Sequence, residues 1–182
     1  ASTPKWFKNA VKTSNHQLLY MAEQLKDVQN KVYFPRTLKA DGSYAMGKAQ
    51  DWTSGFYPGS LWLAYEMTGD EDLAKEARKY TNRLEEIQYY TGNHDVGFMM
   101  YCSYGHAIRL KPEQKDKEIL VNTSNSLCKR FNPEVGLIRS WDFGKWTYPV
   151  IIDNMMNLEL LFWASEQTGN SKFRDVAVAH AD

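Results

Sequence analysis

A chain of 182 residues is the size of one domain and can bury one sizeable core. Its 22 basic and 22 acidic side chains cancel, so no basic stripe calls for nucleic acid and no polybasic cluster for a membrane surface. No apolar run approaches the roughly 20 residues that cross a bilayer. The apolar spacing of Phe7, Val11, Leu18, Leu19, Met21, Ala22 and Leu25 predicts a first helix over 4–28, with Pro4 suited to its opening turn. Residues 34–54, rich in Gly, Pro, Asp and Ser, read as a long loop. A buried helix follows over 55–69 and ends at Gly69. An amphipathic helix over 70–90 has Asp70 as its N-cap and Leu73, Ala77, Leu84 and Ile87 on one face. After a loop containing Gly92 and Asn93, an apolar helix is expected from Val96 to Leu110. Another enters through Pro112. Residues 132–152 read as a loop with short extended pieces. Helices over 153–169 and from 170 onward complete the chain.

These elements alternate in character. A buried, aromatic-rich helix is followed by a short turn and an amphipathic outer helix, and the pair recurs. "AYEMTGDEDLAKEA" (64–77) aligns with "ASEQTGNSKFRDVA" (164–177) at an offset of 100 residues. Three helical hairpins therefore sit at about 50-residue spacing behind a lone helix, about seven helices in all. Such units bury their faces only against neighbours. The long loops all precede inner helices and so gather at one end, where function usually sits. An array of this kind normally closes into a ring of more helices, so the 182 residues are expected to be part of a longer protein. Cys102 and Cys128 fall in predicted helices and are expected to be buried free thiols.

Candidate chemistry lies at the junctions between loops and inner helices. Asp153 is flanked by Val150, Ile151 and Ile152 before it and by Met155 and Met156 after it. Apolar surroundings disfavour a charged carboxylate and let it hold a proton near neutral pH, as a general acid must. Asp153 is equally a natural N-cap. Asp95 occupies the same position on the preceding inner helix, again as a cap or as the second member of a carboxyl pair, the usual equipment for breaking a glycosidic link. His94, on a polar loop, reads as a surface or hydrogen-bonding residue. No cluster has metal-ligand spacing, so neither a metal nor a cofactor is expected. Trp52 and Trp141 stand in polar loops, either as platforms for a sugar ring or packed beneath their loops. No phosphate loop, nucleotide fingerprint or nucleophile elbow occurs.

Three strings, "DWTSGFYPGSLWLAYEMTGD", "HDVGFMMYCSYGHA" and "VIIDNMMNLELLFWASEQTG", strongly resemble the unsaturated glucuronyl hydrolases, glycoside hydrolase family 88. The resemblance runs over nearly the whole chain. It implies an all-α (α/α)6 barrel, six helical hairpins in a ring, of which residues 1–182 would be the N-terminal half of a single catalytic domain. It implies removal of the Δ4,5-unsaturated uronic acid from the non-reducing end of lyase-generated glycosaminoglycan oligosaccharides, by hydration of a vinyl ether. Asp153 would be the acid and base and Asp95 the second essential carboxylate. His94, Trp52 and Trp141 would contact substrate, an unsaturated uronyl di- or oligosaccharide. The alternatives are an unsaturated rhamnogalacturonyl hydrolase acting on pectin fragments and a non-catalytic helical-repeat scaffold. A bacterial enzyme of either periplasm or cytoplasm fits. Half a ring exposes two apolar edges, which should dimerise, aggregate or unfold.

Overall fold

The computed structural model describes residues 3–27 and 33–182. Helix α1 (Lys5–Gln24) is the expected first helix, ending early, and Val28 of the expected span lies outside the described residues. Strands β1 (Tyr33–Leu38) and β2 (Tyr44–Lys48) pair antiparallel, with Tyr33 opposite Lys48 and Leu38 opposite Tyr44. This hairpin corrects the long-loop reading of 34–54. Its signal was Asp41–Gly42 between two extended runs, and Asp41 Oδ1 accepts bonds from both the backbone and the hydroxyl of Ser43.

The inner and outer helices then alternate as expected. Inner α2 (Phe56–Thr68) is followed by outer α3 (Glu71–Asn82) and a 3-10 turn over Glu85–Tyr89. Inner α4 (Val96–Tyr101) and α5 (Tyr104–Leu110) precede outer α6 (Asp116–Cys128). A two-residue ladder of β3 (Phe131–Asn132) and β4 (Leu137–Ile138) supplies the expected extended pieces. Inner α7 (Asn154–Asn157) and α8 (Glu159–Thr168) precede outer α9 (Ser171–Ala181).

Two inner helices expected to be continuous are broken. The break between α4 and α5 falls at Ser103, whose hydroxyl donates back to the Met99 carbonyl at 2.6 Å. Such back-bonding bends helices. There the neighbouring inner helix also comes close: a Cβ on Gly59 would stand 2.7 Å from the Cys102 carbonyl oxygen. Counting each broken pair as one helix gives the expected seven among the described residues.

The 100-residue repeat is visible as one turn built twice. The Thr68 hydroxyl donates to the Ala64 carbonyl at 2.7 Å, and Thr168 to Ala164 at 2.7 Å. Gly69 and Gly169 close their helices in the left-handed conformation, at φ 71° and 70°, where a glycine carries no Cβ penalty. Asp70 and Asn170 then cap the outer helices, accepting from Asp72 N at 3.0 Å and Lys172 N at 3.1 Å.

Between inner and outer helices lies one core. It includes Leu61, Trp62, Tyr80, Met99, Leu120 and Leu161, all fully buried. Exposed apolar side chains gather on α2 (Leu63, Met67) and on α7 and α8 (Met155, Met156, Phe162). Cys102 and Cys128 are free thiols, the first half-buried and the second buried, and burial pushes each up to about 11. No described helix is long and apolar enough to cross a membrane.

Candidate active site

Two junctions separated by more than fifty residues in sequence meet at one point. The loop entering α4 carries Asn93, His94 and Asp95. The loop entering α7 carries Asp153. The Asn93 carboxamide accepts from Asp95 N at 3.0 Å and turns the chain into α4. Asn93 pairs as an isolated antiparallel bridge with Trp141, and His94 N donates to the Ser140 carbonyl at 3.0 Å. The segment before α7 is thus tied to the segment before α4 by backbone bonds. Arg130, at the end of α6, holds both. Its guanidinium donates to the Thr91 and Arg139 carbonyls and to the Asp142 carboxylate. Asn154 adds a bond from its buried amide to the Ile138 carbonyl at 2.9 Å. Ile138 N in turn donates to His180 Nδ1 at 2.9 Å, which fixes that ring nitrogen as an acceptor.

Three side chains converge. His94 Nε2 lies 3.1 Å from Asp95 Oδ1 and 3.7 Å from Asp153 Oδ1. His94 is buried, its side chain 2% exposed, which corrects the surface reading of a polar-loop histidine. Its ring has little surface to offer a substrate and instead lies against both carboxylates. The side chain of Asp95 is 14% exposed and that of Asp153 41%. Asp153 Oδ1 is buried and has no hydrogen-bond partner, as is His94 Nδ1. Burial raises the Asp153 carboxyl above its ordinary range. The neighbouring Asp95 charge adds to this and His94 opposes it.

Neither carboxylate caps its helix. Asp95 and Asp153 stand at the N-cap positions of α4 and α7, yet neither side chain accepts a cap bond. The backbone gives the reason. A cap residue is normally extended, whereas ψ is 4° at Asp95 and −15° at Asp153. At those angles the side chain is directed away from the first-turn N–H groups. The cap reading of both residues is therefore corrected.

An oxygen from each carboxylate and a ring nitrogen of His94 lie within 4.8 Å of one another, close enough to hold a metal ion. Asp95 and Asp153 are expected as a carboxyl pair, but local spacing does not show a three-membered cluster with His94 that could hold a metal, because its members come from two distant junctions.

The tryptophans flank this point differently. Trp52 is 46% exposed and meets Phe56 and Phe98 edge-on at 5.6 and 6.3 Å. Phe98 lies one turn beyond Asp95 on α4, so an open aromatic ledge adjoins the carboxylates. Trp141 is half-buried and stacks on the exposed Phe143 at 5.5 Å. Its indole nitrogen is buried without a partner. Sequence reasoning missed Phe56, Phe98 and Arg130. It also missed Asn157, whose signal was a second asparagine in the apolar run "IIDNMMNLEL".

Comparison with known proteins identifies the family. An unsaturated glucuronyl hydrolase of Formosa agariphila is 44% identical over 137 residues, 74% of this chain and 34% of that protein. The crystal structure of an unsaturated glucuronyl hydrolase specific for heparin superposes with a TM-score of 0.90 at 44% identity, covering 97% of this chain and 46% of that one. The chain belongs to the unsaturated glucuronyl hydrolase family. An unsaturated chondroitin disaccharide hydrolase of Streptococcus pyogenes is 34% identical over 154 residues, 81% of this chain and 38% of that protein. No family model matches the chain. As a member of that family it has the fold of an (α/α)6 barrel, of which it covers about half. It spans well under half the length of the curated relatives it matches.

Proposed function

We propose that this chain supplies the carboxylate pair of a glycoside hydrolase that removes the Δ4,5-unsaturated uronic acid from lyase-generated glycosaminoglycan oligosaccharides. The observation that carries this reading is Asp153, with one oxygen buried against Asp95 and His94 and the side chain still open to solvent. That environment favours the protonated carboxyl, and the open side gives it access to substrate. Asp153 protonates C4 of the double bond, which leaves positive charge shared between C5 and the ring oxygen. Asp95, fixed by His94, steadies that charge. Water adds at C5 and returns its proton to Asp153. The C5 hemiketal opens, and the freed hemiacetal at C1 releases the rest of the oligosaccharide.

The carboxylate oxygens, within 4.8 Å, are closer than the about 6.5–9.5 Å that an inverting pair keeps for a water between its carboxyl groups. Hydration of the double bond needs no such gap. Trp52 and its phenylalanine neighbours form the platform for the sugar, and Trp141 the opposite wall. The chondroitin and heparin preferences named for relatives support glycosaminoglycan fragments over pectin fragments as substrates. The complete barrel carries the activity. The half alone, with its open apolar edges on α2 and on α7 and α8, associates with itself.

The test uses a chain extended to its relatives' length, with unsaturated chondroitin disaccharide in D2O. The expected result is loss of the ultraviolet absorbance of the conjugated double bond, deuterium at C4 of the product, and no effect of a chelator. Release of an intact unsaturated sugar would mean direct displacement, and a chelator-sensitive rate would mean that the triad holds a metal. Turnover of a pectin-derived fragment in preference would assign the rhamnogalacturonyl reading.

A further inference from the structure

Helix α4 has an unusual N-terminus. Its natural cap, Asp95, is directed away, yet its third N–H is not orphaned. Phe98 N donates to Oδ1 of Asn157 at 2.9 Å, a residue 59 positions later at the end of α7. Asn157 is fully buried. Its Nδ2 faces the carbonyl of Asp153 at 3.5 Å. The position that would ordinarily take the Asp95 side chain is therefore filled from a different helix.

The fit leaves no room for alternatives. A Cβ on Gly97 would stand 2.5 Å from Asn157 Oδ1 and 2.7 Å from its Cα. The helix start thus has a glycine at the one position where the foreign carboxamide enters. The consequence is geometric. Asp95 is the N-cap residue of α4 and Asp153 that of α7, and the bond from α4 to Asn157 fixes the two helix starts against each other.

We propose that Asn157 is a positioning residue of the candidate active site. It caps α4 in place of Asp95, frees the Asp95 carboxylate to face His94 and Asp153, and holds the two carboxylates at their working separation. This deepens the hydrolase reading and rests on it for its kinetic consequence, but the cap itself can be tested without turnover.

The experiment compares Asn157→Leu, which has a similar volume but no acceptor, with Asn157→Asp, which keeps an oxygen for Phe98. Both are made in the extended chain. Amide exchange at Phe98 is expected to accelerate at least about tenfold in Asn157→Leu and to stay slow in Asn157→Asp. With unsaturated chondroitin disaccharide, kcat of Asn157→Leu is expected to fall about a hundredfold with KM nearly unchanged, the scale of an ångström-sized misplacement. In an Asp95→Asn background the same substitution should cost much less, because the group it positions is already gone. Unchanged exchange in Asn157→Leu, or an undiminished kcat loss in the Asp95→Asn background, would overturn the proposal. If Asn157→Leu does not fold, Asp95→Ala decides. An unlowered melting temperature, or slow amide exchange at Phe98 whatever the melting temperature, means that Asp95 is not the cap, and Phe98 exchange accelerated about tenfold means that it is. If the wild-type extended chain turns over no unsaturated disaccharide, the hydrolase reading fails, while the exchange and melting arms still judge the cap.

Discussion

The two ends of the inner helices use the same residue types in opposite ways. At the turns between inner and outer helices, Asp70 and Asn170 have extended backbones, with ψ of 110° and 107°, and their side chains cap α3 and α9. At the opposite end, Asp95 and Asp153 hold the corresponding first position of α4 and α7 with ψ near zero and make no cap bond. One pair of side chains is committed to local structure. The other is withheld from it and directed at a shared point beside His94. A helix start that gives up its cap forgoes about 1 kcal/mol unless something else satisfies its N–H groups. In α4 that substitute is Asn157. The lesson is that backbone angle, not residue type, separates a capping carboxylate from one available for chemistry.

This contrast can be broken most sharply at Asp153. Asp153→Asn is expected to lower kcat by about a thousandfold or more in the extended chain, the range of a lost general acid, with substrate binding retained. Retained turnover would return Asp153 to the structural class. Trp52→Ala should act on binding instead. It removes an open platform beside the carboxylates and is expected to raise KM about tenfold with kcat little changed, measured by the same absorbance assay.

The pH dependence sharpens the comparison further. Because burial and Asp95 raise the Asp153 carboxyl, the alkaline limb of kcat/KM should lie above the ordinary carboxylate value of 3.8 and vanish in the residual activity of Asp153→Asn. The stability consequence has a definite sign. The folded protein binds the Asp153 proton more tightly than the unfolded chain does. That contribution is present below 3.8 and is lost as pH rises through the folded value. The smallest expected effect is at His180. Burial, and secondarily His94, lower this histidine, and its Nδ1 accepts from Ile138 N. Its contribution is complete above the ordinary 6.5 and lost as pH falls towards the folded value, so denaturant unfolding should weaken in that window. His180→Gln should flatten that slope.

Much of the fold is legible in the sequence because helical periodicity and the Thr-Gly turn are local signals. The alignment of 64–77 with 164–177 corresponds to one turn geometry repeated, down to the hydroxyl bonds of Thr68 and Thr168. What is not legible depends on partners distant in the chain. The break at Ser103 arises where Gly59 of another helix packs against Cys102. The hairpin over 33–48 is hidden by its polar composition, although Asp41–Gly42 marks the turn. At the site, the expected rise of the Asp153 carboxyl holds in direction but not in cause: Ile151, Ile152, Met155 and Met156 are exposed, and the buried oxygen of Asp153 lies beside His94. The burial of His94 does not show in a loop of polar neighbours, because it is imposed by Ser140 and by the two junctions closing over it. Asn157 is visible only as an asparagine out of place in an apolar run. Its role emerges once Phe98 is beside it.

The most direct test crosses the two classes of carboxylate in one experiment. Asp70→Ala and Asp153→Ala are made in the extended chain, and each is measured for unfolding free energy and for the rate of ultraviolet absorbance loss. Asp70→Ala is predicted to lose about 1 kcal/mol of stability and keep its turnover. Asp153→Ala is predicted to keep its stability and lose its turnover. Equal stability losses in the two variants, with turnover surviving in Asp153→Ala, would contradict the account.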